Sequence, residues 1–263
     1  MAVRSVYMDY NATTPLRPEV RNRMVEAMDL YANASSMHEM GRRARAEIER
    51  ARAAVAALIG THDPSTVIFT SGGSESNNTV FNTMFLRGRN SQRRKILTTA
   101  IEHPCVLNAA AHLKEEGFPV VFLPVDAQGR LDMDAYRAEL GPDVLLVSVM
   151  AANNEIGTIE DIATIAALAH EHGALVHTDA TQAAGKVPVS VEKWGVDYAT
   201  LSCHKIYGPK GIGALYIRKG APIEPLIRGG HQEQGIRAGT YNNLGILGFG
   251  VAAELALAEV GDY

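Results

Sequence analysis

The chain has 263 residues, 46% hydrophobic and 21% charged, with a formal net charge of -4. That balance supplies a full core, which excludes intrinsic disorder, and an acidic chain is a poor match for nucleic acid as main partner. Two cysteines, Cys105 and Cys203, make no disulfide framework, residues 1–7 lack the apolar core of a signal peptide, and the longest apolar run, around Val144 to Ala152, is too short to span a bilayer, so a soluble cytoplasmic protein with no membrane partner is expected.

Val6 to Asp9 reads as a short strand, broken by Asn11-Ala12-Thr13-Thr14-Pro15. Pro18 then opens a helix in its first turn, where a missing N–H costs nothing. Asn33 to Met37 is a polar loop before a long amphipathic helix, about Glu39 to Ile59, with Ala44, Ile48, Ala51, Val55 and Leu58 at helical spacing and Gly60 closing it. Thr66 to Thr70 is a strand followed by Ser71-Gly72-Gly73-Ser74-Glu75. Strand, Ser/Gly turn and helix start together make an anion site, because free backbone N–H groups point outward there. Ile96 to Thr99 is a strand, then Ile101-Glu102-His103-Pro104 leads into a helix ended by Gly117. Val120 to Leu123 is a strand, Asp132 to Leu140 a helix and Val144 to Met150 a strongly apolar strand, followed by the polar loop Ala152 to Gly157. Asp161 to His172 is a helix, and Ala174 to Thr178 a strand ending at Asp179-Ala180-Thr181-Gln182. Asp197 to Leu201 leads to Ser202-Cys203-His204-Lys205, and Ala214 to Ile217 follows as a strand. A Gly-rich loop spans Arg228 to Thr240, and Asn243 to Val260 is mainly helical.

Alternating strands and helices predict an α/β domain with a largely parallel sheet, in which ligands sit at the carboxyl ends of the strands. The polar clusters at 71–74, 103, 154, 179–182 and 202–205 all follow predicted strands, which suggests one site. A phosphate cradle, a strand-end acid, a ring-sized histidine and a strand-end lysine fit pyridoxal 5′-phosphate. A lysine leaving a buried strand is desolvated, loses its proton more easily and can form a Schiff base. The glycine spacing matches neither a dinucleotide fingerprint nor a Walker loop, and His170, His172 and His177 lack the spacing of a zinc site, so no metal is expected.

The chain resembles cysteine desulfurases of the class V aminotransferase group, of the nitrogen-fixation and iron–sulfur-assembly type. The likeness rests on Asp9 to Pro15, Ser35-Ser36-Met37-His38, Phe69 to Ser76, Glu102-His103-Pro104, Asn153 to Gly157, Asp179 to Gln182, His204 to Gly211 and Arg228 to Glu233. The resemblance implies the large domain of a fold type I, aspartate aminotransferase-like enzyme, a mostly parallel sheet flanked by helices. It also implies roles: Lys205 as the Schiff-base lysine, Asp179 on the pyridinium nitrogen, and His103 stacked on the ring and handling protons. Gln182 would meet the ring hydroxyl. Gly73, Ser74, Ser202 and His204 would hold the phosphate, with Asn154 beside cofactor and substrate carboxylate. Thr240 is expected to reach the phosphate of a partner subunit, which makes the site a homodimer property. The implied reaction takes L-cysteine to L-alanine and passes a persulfide to an iron–sulfur scaffold or another acceptor protein. A lyase or selenocysteine-directed relative and a non-catalytic cofactor-binding module are the other readings; turnover of L-cysteine sets the module apart from both enzymes, and comparison with L-selenocysteine separates the two enzymes.

The chain departs from the family pattern at Ala32, Ala34, Ser74, Cys203 and Gln234. The resemblance also implies a smaller C-terminal domain carrying the sulfur-accepting cysteine and the arginine for the substrate carboxylate. Residues 15–263 are expected to be the cofactor-binding domain and residues 1–14 to belong with that small domain, which this chain is expected to lack.

Overall fold

A strand buried along its whole length is covered on both faces of its sheet, and β4 (Val144–Ser148) is buried at every position. The computed structural model describes residues 5–261. It places β4 inside a seven-stranded sheet with β1 (Val67–Thr70), β2 (Lys95–Thr99), β3 (Val120–Leu123), β5 (Leu175–Asp179), β6 (Tyr198–Ser202) and β7 (Gly213–Ile217), in the order β1-β7-β6-β5-β4-β2-β3. From β6 to β3 every pairing is parallel. Only β7 runs the other way, antiparallel to both β1 and β6. The carboxyl ends of β1, β2, β4, β5 and β6 therefore share one rim.

Helices cover both faces. On β1 and β7, neighbouring side chains alternate between two apolar clusters: Ile68 and Leu215 enter one, Val67, Phe69, Ala214 and Tyr216 the other. The first cluster is closed by α3 (Gly73–Gly88) and α4 (Pro104–Glu115) through Val80, Phe81, Met84 and Val106. The second is closed by α1 (Pro18–Ala27), α2 (Glu39–Leu58), α6 (Ile162–Glu171) and α8 (Asn243–Glu259). The stripe Ala44, Ile48, Ala51, Val55 and Leu58 of α2 is buried, as helical spacing predicts. The shorter α5 (Met133–Glu139) is capped by the Asp132 carboxylate, which accepts from Asp134 N and Ala135 N at 3.0 Å. A four-residue helix, α7 (Val191–Trp194), is too short to leave a periodic signal in the sequence. Among the described residues no helix is long and apolar enough to cross a membrane.

One expectation is corrected. Val6 to Asp9 is not a strand. The edges of the sheet are β1 and β3, and neither is paired to this segment, whose Val6, Tyr7 and Met8 are 69%, 51% and 85% exposed. The residues that follow are instead tied to the Lys205 loop. Thr14 N and Thr14 Oγ1 both donate to His204 O, at 3.0 and 2.8 Å, and Tyr207 N donates to Thr14 Oγ1 at 2.8 Å. The first four residues of the 1–14 segment lie outside the described residues.

The Gly-rich loop at 228–240 is anchored by a buried ion pair. Arg52 and Glu233 meet in a bidentate contact at 2.6 and 2.7 Å, and Glu233 also accepts from Phe69 N at 2.7 Å. Glu233 and Gln234 have positive φ, 46° and 59°, an uncommon conformation for residues with side chains. The pair and the Tyr241 hydroxyl, which accepts from Glu233 N at 3.1 Å, hold them there.

Candidate functional site

The turn after β1 needs glycine twice. Gly72 has φ 154° and ψ 178°, which glycine alone adopts readily, and a Cβ on Gly213 of β7 would lie 2.6 Å from Gly72 Cα. The turn thus lies flat against β7, and α3 starts directly at the sheet rim. The N–H groups of its first turn have no acceptor within the helix. Glu75 braces this turn. Its carboxylate accepts from Ser71 N at 2.8 Å and from Arg237 Nε at 2.9 Å. Burial opposes that charge, yet the Arg237 and Ser71 hydrogen bonds hold the Glu75 carboxyl below the usual range.

Gly73 and Ser74 of this turn line a cavity of about 470 Å³ at the rim. His103, Asn154, Asp179, Gln182, Ser202, His204 and Lys205 line the same cavity. Thr240 does not. It faces a neighbouring cavity that shares Ser71 and Gly211 with the first. Lys210 also reaches the main cavity.

Asp179 ends β5 and is 6% exposed. Its Oδ2 accepts from Asn77 Nδ2 at 2.7 Å and its Oδ1 from Thr181 N at 3.0 Å. Two residues earlier His177 is fully buried between the hydroxyls of Ser148 (2.8 Å) and Thr200 (3.1 Å). Burial pushes its pKa down to about 4 against the pull of Asp179, so a neutral ring ties three adjacent strands together beneath the acid.

Lys205 follows β6 in a 3-10 turn. Its amine donates to Asn11 O and, at 3.0 Å, to Ala12 O. Burial lowers its pKa, while Asp179, Asp9 and Glu155 oppose the shift. A partly desolvated amine with a lowered pKa supplies more of the nucleophilic free base. His204 is bonded to Thr13 Oγ1 through Nδ1 at 3.0 Å. Burial lowers its pKa, followed by the charges of Lys205 and Lys210.

His103 caps α4, with Nδ1 accepting from Cys105 N at 3.2 Å. Cys105 Sγ lies 2.9 Å from that same nitrogen and 3.1 Å from Asn77 Nδ2. Burial raises the Cys105 pKa, and it raises that of the wholly buried Cys203 further. Both thiols are therefore poor nucleophiles at neutral pH.

Several residues that brace the site are given no role by the sequence reading. Asn77 joins Asp179 to Cys105. It lies three positions after Ser74, so helical spacing along α3 is the signal that points to it. Asn153 shapes the loop after β4, with Oδ1 accepting from Glu155 N at 2.8 Å and Nδ2 donating to Ile101 O at 2.8 Å. Glu102 is buried beside His103, and its Oε1 accepts from Met150 N and Thr99 Oγ1, both at 2.8 Å. Its Oε2 has no partner.

Burial pushes the Glu102 pKa from 4.5 up to about 8. Between those values the folded protein holds a proton that the unfolded chain has released. Stability from this residue is complete below pH 4.5 and is lost as pH rises through about 8. Glu102→Gln keeps the acceptor oxygen and removes the titration. Thermal midpoints of the variant are expected to fall less than those of the parent between pH 5 and pH 9. Parallel declines would contradict this reading of Glu102.

Known proteins match this chain closely. The family model for aminotransferase class-V matches residues 6–261. A cysteine desulfurase of Cereibacter sphaeroides is 49% identical over 96% of this chain and 65% of its own length. The cysteine desulfurase IscS of Dictyoglomus turgidum is 47% identical over 98% of this chain and 65% of its own length. Among solved structures, a NifS-like protein superposes with a TM-score of 0.94 at 43% identity, covering 98% of this chain and 71% of its own. SspA in complex with cysteine superposes with a TM-score of 0.91 at 38% identity, covering 95% and 72%. The chain spans just under two-thirds of the length of both curated relatives. With a matching family model over nearly its whole length and the same mostly parallel sheet as these structures, the chain belongs to the class-V aminotransferase family.

Proposed function

We propose that this chain is the pyridoxal-phosphate-holding part of a cysteine desulfurase that converts L-cysteine to L-alanine and passes the sulfur on as a persulfide. The observation that carries the reading is the convergence of the Lys205 amine, the Asp179 carboxylate and the start of α3 on one cavity. The donor set fits the cofactor. Thr181 Oγ1 is buried in the cavity wall without a hydrogen-bond partner, and a Cβ on Gly73 would stand 3.3 Å from it. A group carrying acceptor oxygens satisfies that hydroxyl. Lys205 would hold the aldehyde and Asp179 the ring nitrogen. Gln182 would hold the ring hydroxyl, His103 the ring face, and Gly73, Ser74, Ser202 and His204 the phosphate. When bound, pyridoxal phosphate supplies an electron sink for bond breaking at the substrate α-carbon.

The residues of the chain then divide the work. Lys205 Nζ takes and returns the substrate α-proton, because a partly buried amine of lowered pKa gives up its proton more readily than a solvated one. Asn77 and Thr181 N each hold one oxygen of the Asp179 carboxylate, which fixes the acid that would meet the ring nitrogen. Asn154 and His103 line the same cavity and would face the substrate. The names of the relatives and the SspA structure with cysteine support cysteine as the substrate. Delivery of sulfur to iron–sulfur cluster assembly, a cytoplasmic location and a homodimer in which Thr240 serves the phosphate of a second copy belong to the same proposal. So does a small domain joined by residues 1–14, in line with the greater length of the relatives.

Sulfur abstraction needs a thiolate on a segment that can carry the persulfide away. Cys105 is fixed in the first turn of α4, and Cys203 is wholly buried. These 263 residues are expected to bind pyridoxal phosphate yet release no sulfide from L-cysteine beyond a single turnover. Sulfide and alanine are measured with a reductant present, on the chain and on Cys105→Ser. Multiple turnovers that vanish in Cys105→Ser would name Cys105 as the acceptor and reject the expectation.

A further inference from the structure

A second cavity, of about 180 Å³, lies behind the cleft wall, and Lys205 lines both. Lys186 lines the second cavity, and its ammonium donates to Gln182 Oε1, four residues back. Gln182 faces the first cavity and is 8% exposed. Its Nε2 donates to Asn11 O at 2.9 Å, the carbonyl that also accepts from Lys205. The carboxylate of the second cavity, Glu259, is held by Arg17 in a bidentate contact, and Tyr10 and Tyr207 line the same space. Burial lowers the Lys186 pKa to about 8, with the charge of Lys205 as the second cause.

A carboxamide has an acceptor edge and a donor edge, and its neighbours decide which one a ligand meets. An ammonium can only donate, so Lys186 claims the oxygen of Gln182. The geometry points to Lys186 as a positioning residue that fixes the Gln182 carboxamide with its N–H edge toward the cleft. Asn11 O takes one of the two N–H groups, and the other is left to donate to an oxygen on a bound ring. Without Lys186 the carboxamide can flip and present its oxygen, which repels an anionic ring oxygen. The inference rests on the proposed function in taking that oxygen to be the ring hydroxyl of pyridoxal phosphate.

Two measurements on Lys186→Met and Lys186→Arg test it. In cofactor-free protein labelled with side-chain ¹⁵N-glutamine, the parent is expected to give two resolved, exchange-protected Gln182 proton resonances. In Lys186→Met they should move toward the shifts of solvent-exposed glutamine and lose their protection, and both should recover in Lys186→Arg. In the second measurement, the dissociation constant for pyridoxal phosphate should rise about tenfold in Lys186→Met, the weight of one charge-assisted hydrogen bond. It should recover in Lys186→Arg and change no further when Lys186→Met is added to Gln182→Ala. Unchanged Gln182 resonances in Lys186→Met would overturn the inference. So would a tenfold loss that persists in the Gln182→Ala background, because Lys186 would then act by another route. If the parent binds no pyridoxal phosphate, the proposed function fails, and the resonances alone decide the role of Lys186.

Discussion

Lys205→Ala is expected to abolish covalent capture of pyridoxal phosphate and to slow exchange of the L-cysteine α-proton by on the order of 10³-fold. The amine is placed for both tasks. It leaves β6 at the rim, lines the cavity, and has a pKa lowered by burial. Two backbone carbonyls, of Asn11 and Ala12, accept from it. Alanine removes those contacts as well, but they lie at a surface turn, so the variant should still melt as a folded protein. The phosphate contacts remain, so the cofactor should still bind, reversibly and without the visible band of a lysine-linked chromophore. Exchange is followed by proton NMR in heavy water. A Lys205→Ala protein that keeps the band and the exchange rate would remove Lys205 from the site.

The second large effect is expected at Asp179. In Asp179→Asn, α-proton exchange should slow by about 100-fold or more, while the affinity for pyridoxal phosphate changes far less. A neutral amide cannot hold a proton on the ring nitrogen, and that proton lets the ring accept electrons. The local geometry adds to the loss. Asp179 accepts from two fixed donors, Asn77 Nδ2 and Thr181 N. An asparagine has one oxygen for the two, so one donor is left facing an NH₂ group. Asp179→Glu keeps the charge but moves it by a methylene, and is expected to recover part of the rate. An Asp179→Asn protein with unchanged exchange would reject the role.

The rim of the sheet was legible because each of its polar clusters ends an apolar run. Val144 to Ser148 and Tyr198 to Ser202 are buried throughout, so a polar residue just past such a strand lies at a boundary. That rule leads to Asp179, Ser202 and Lys205 without any knowledge of contacts. It does not lead to Asn77, which sits inside a helix of ordinary composition and matters only because α3 packs beside β5. Nor does it lead to Glu102, whose neighbour His103 carries the louder signal. Its acid is turned inward to Met150 N and Thr99 Oγ1. Val6 to Asp9 had the composition of a strand but is not laid beside either edge of the sheet, a property of the whole fold. The antiparallel β7 was likewise hidden, because strand direction follows from the length of connections and the packing of neighbours. Nothing in the sequence singles out Lys186. Only the fold brings it behind Gln182 and beside Lys205.

Borohydride reduction of the chain after incubation with pyridoxal phosphate, followed by peptide mass analysis, tests the assignment of the site most directly. Lys186 lines the cavity next to Lys205, and Lys210 lines the cleft itself, so the reagent has three amines within reach. The predicted result is a pyridoxyl group on Lys205 and on neither of the others. A pyridoxyl group on Lys186 or Lys210 with Lys205 unmodified, or no lysine modified at all, would contradict it.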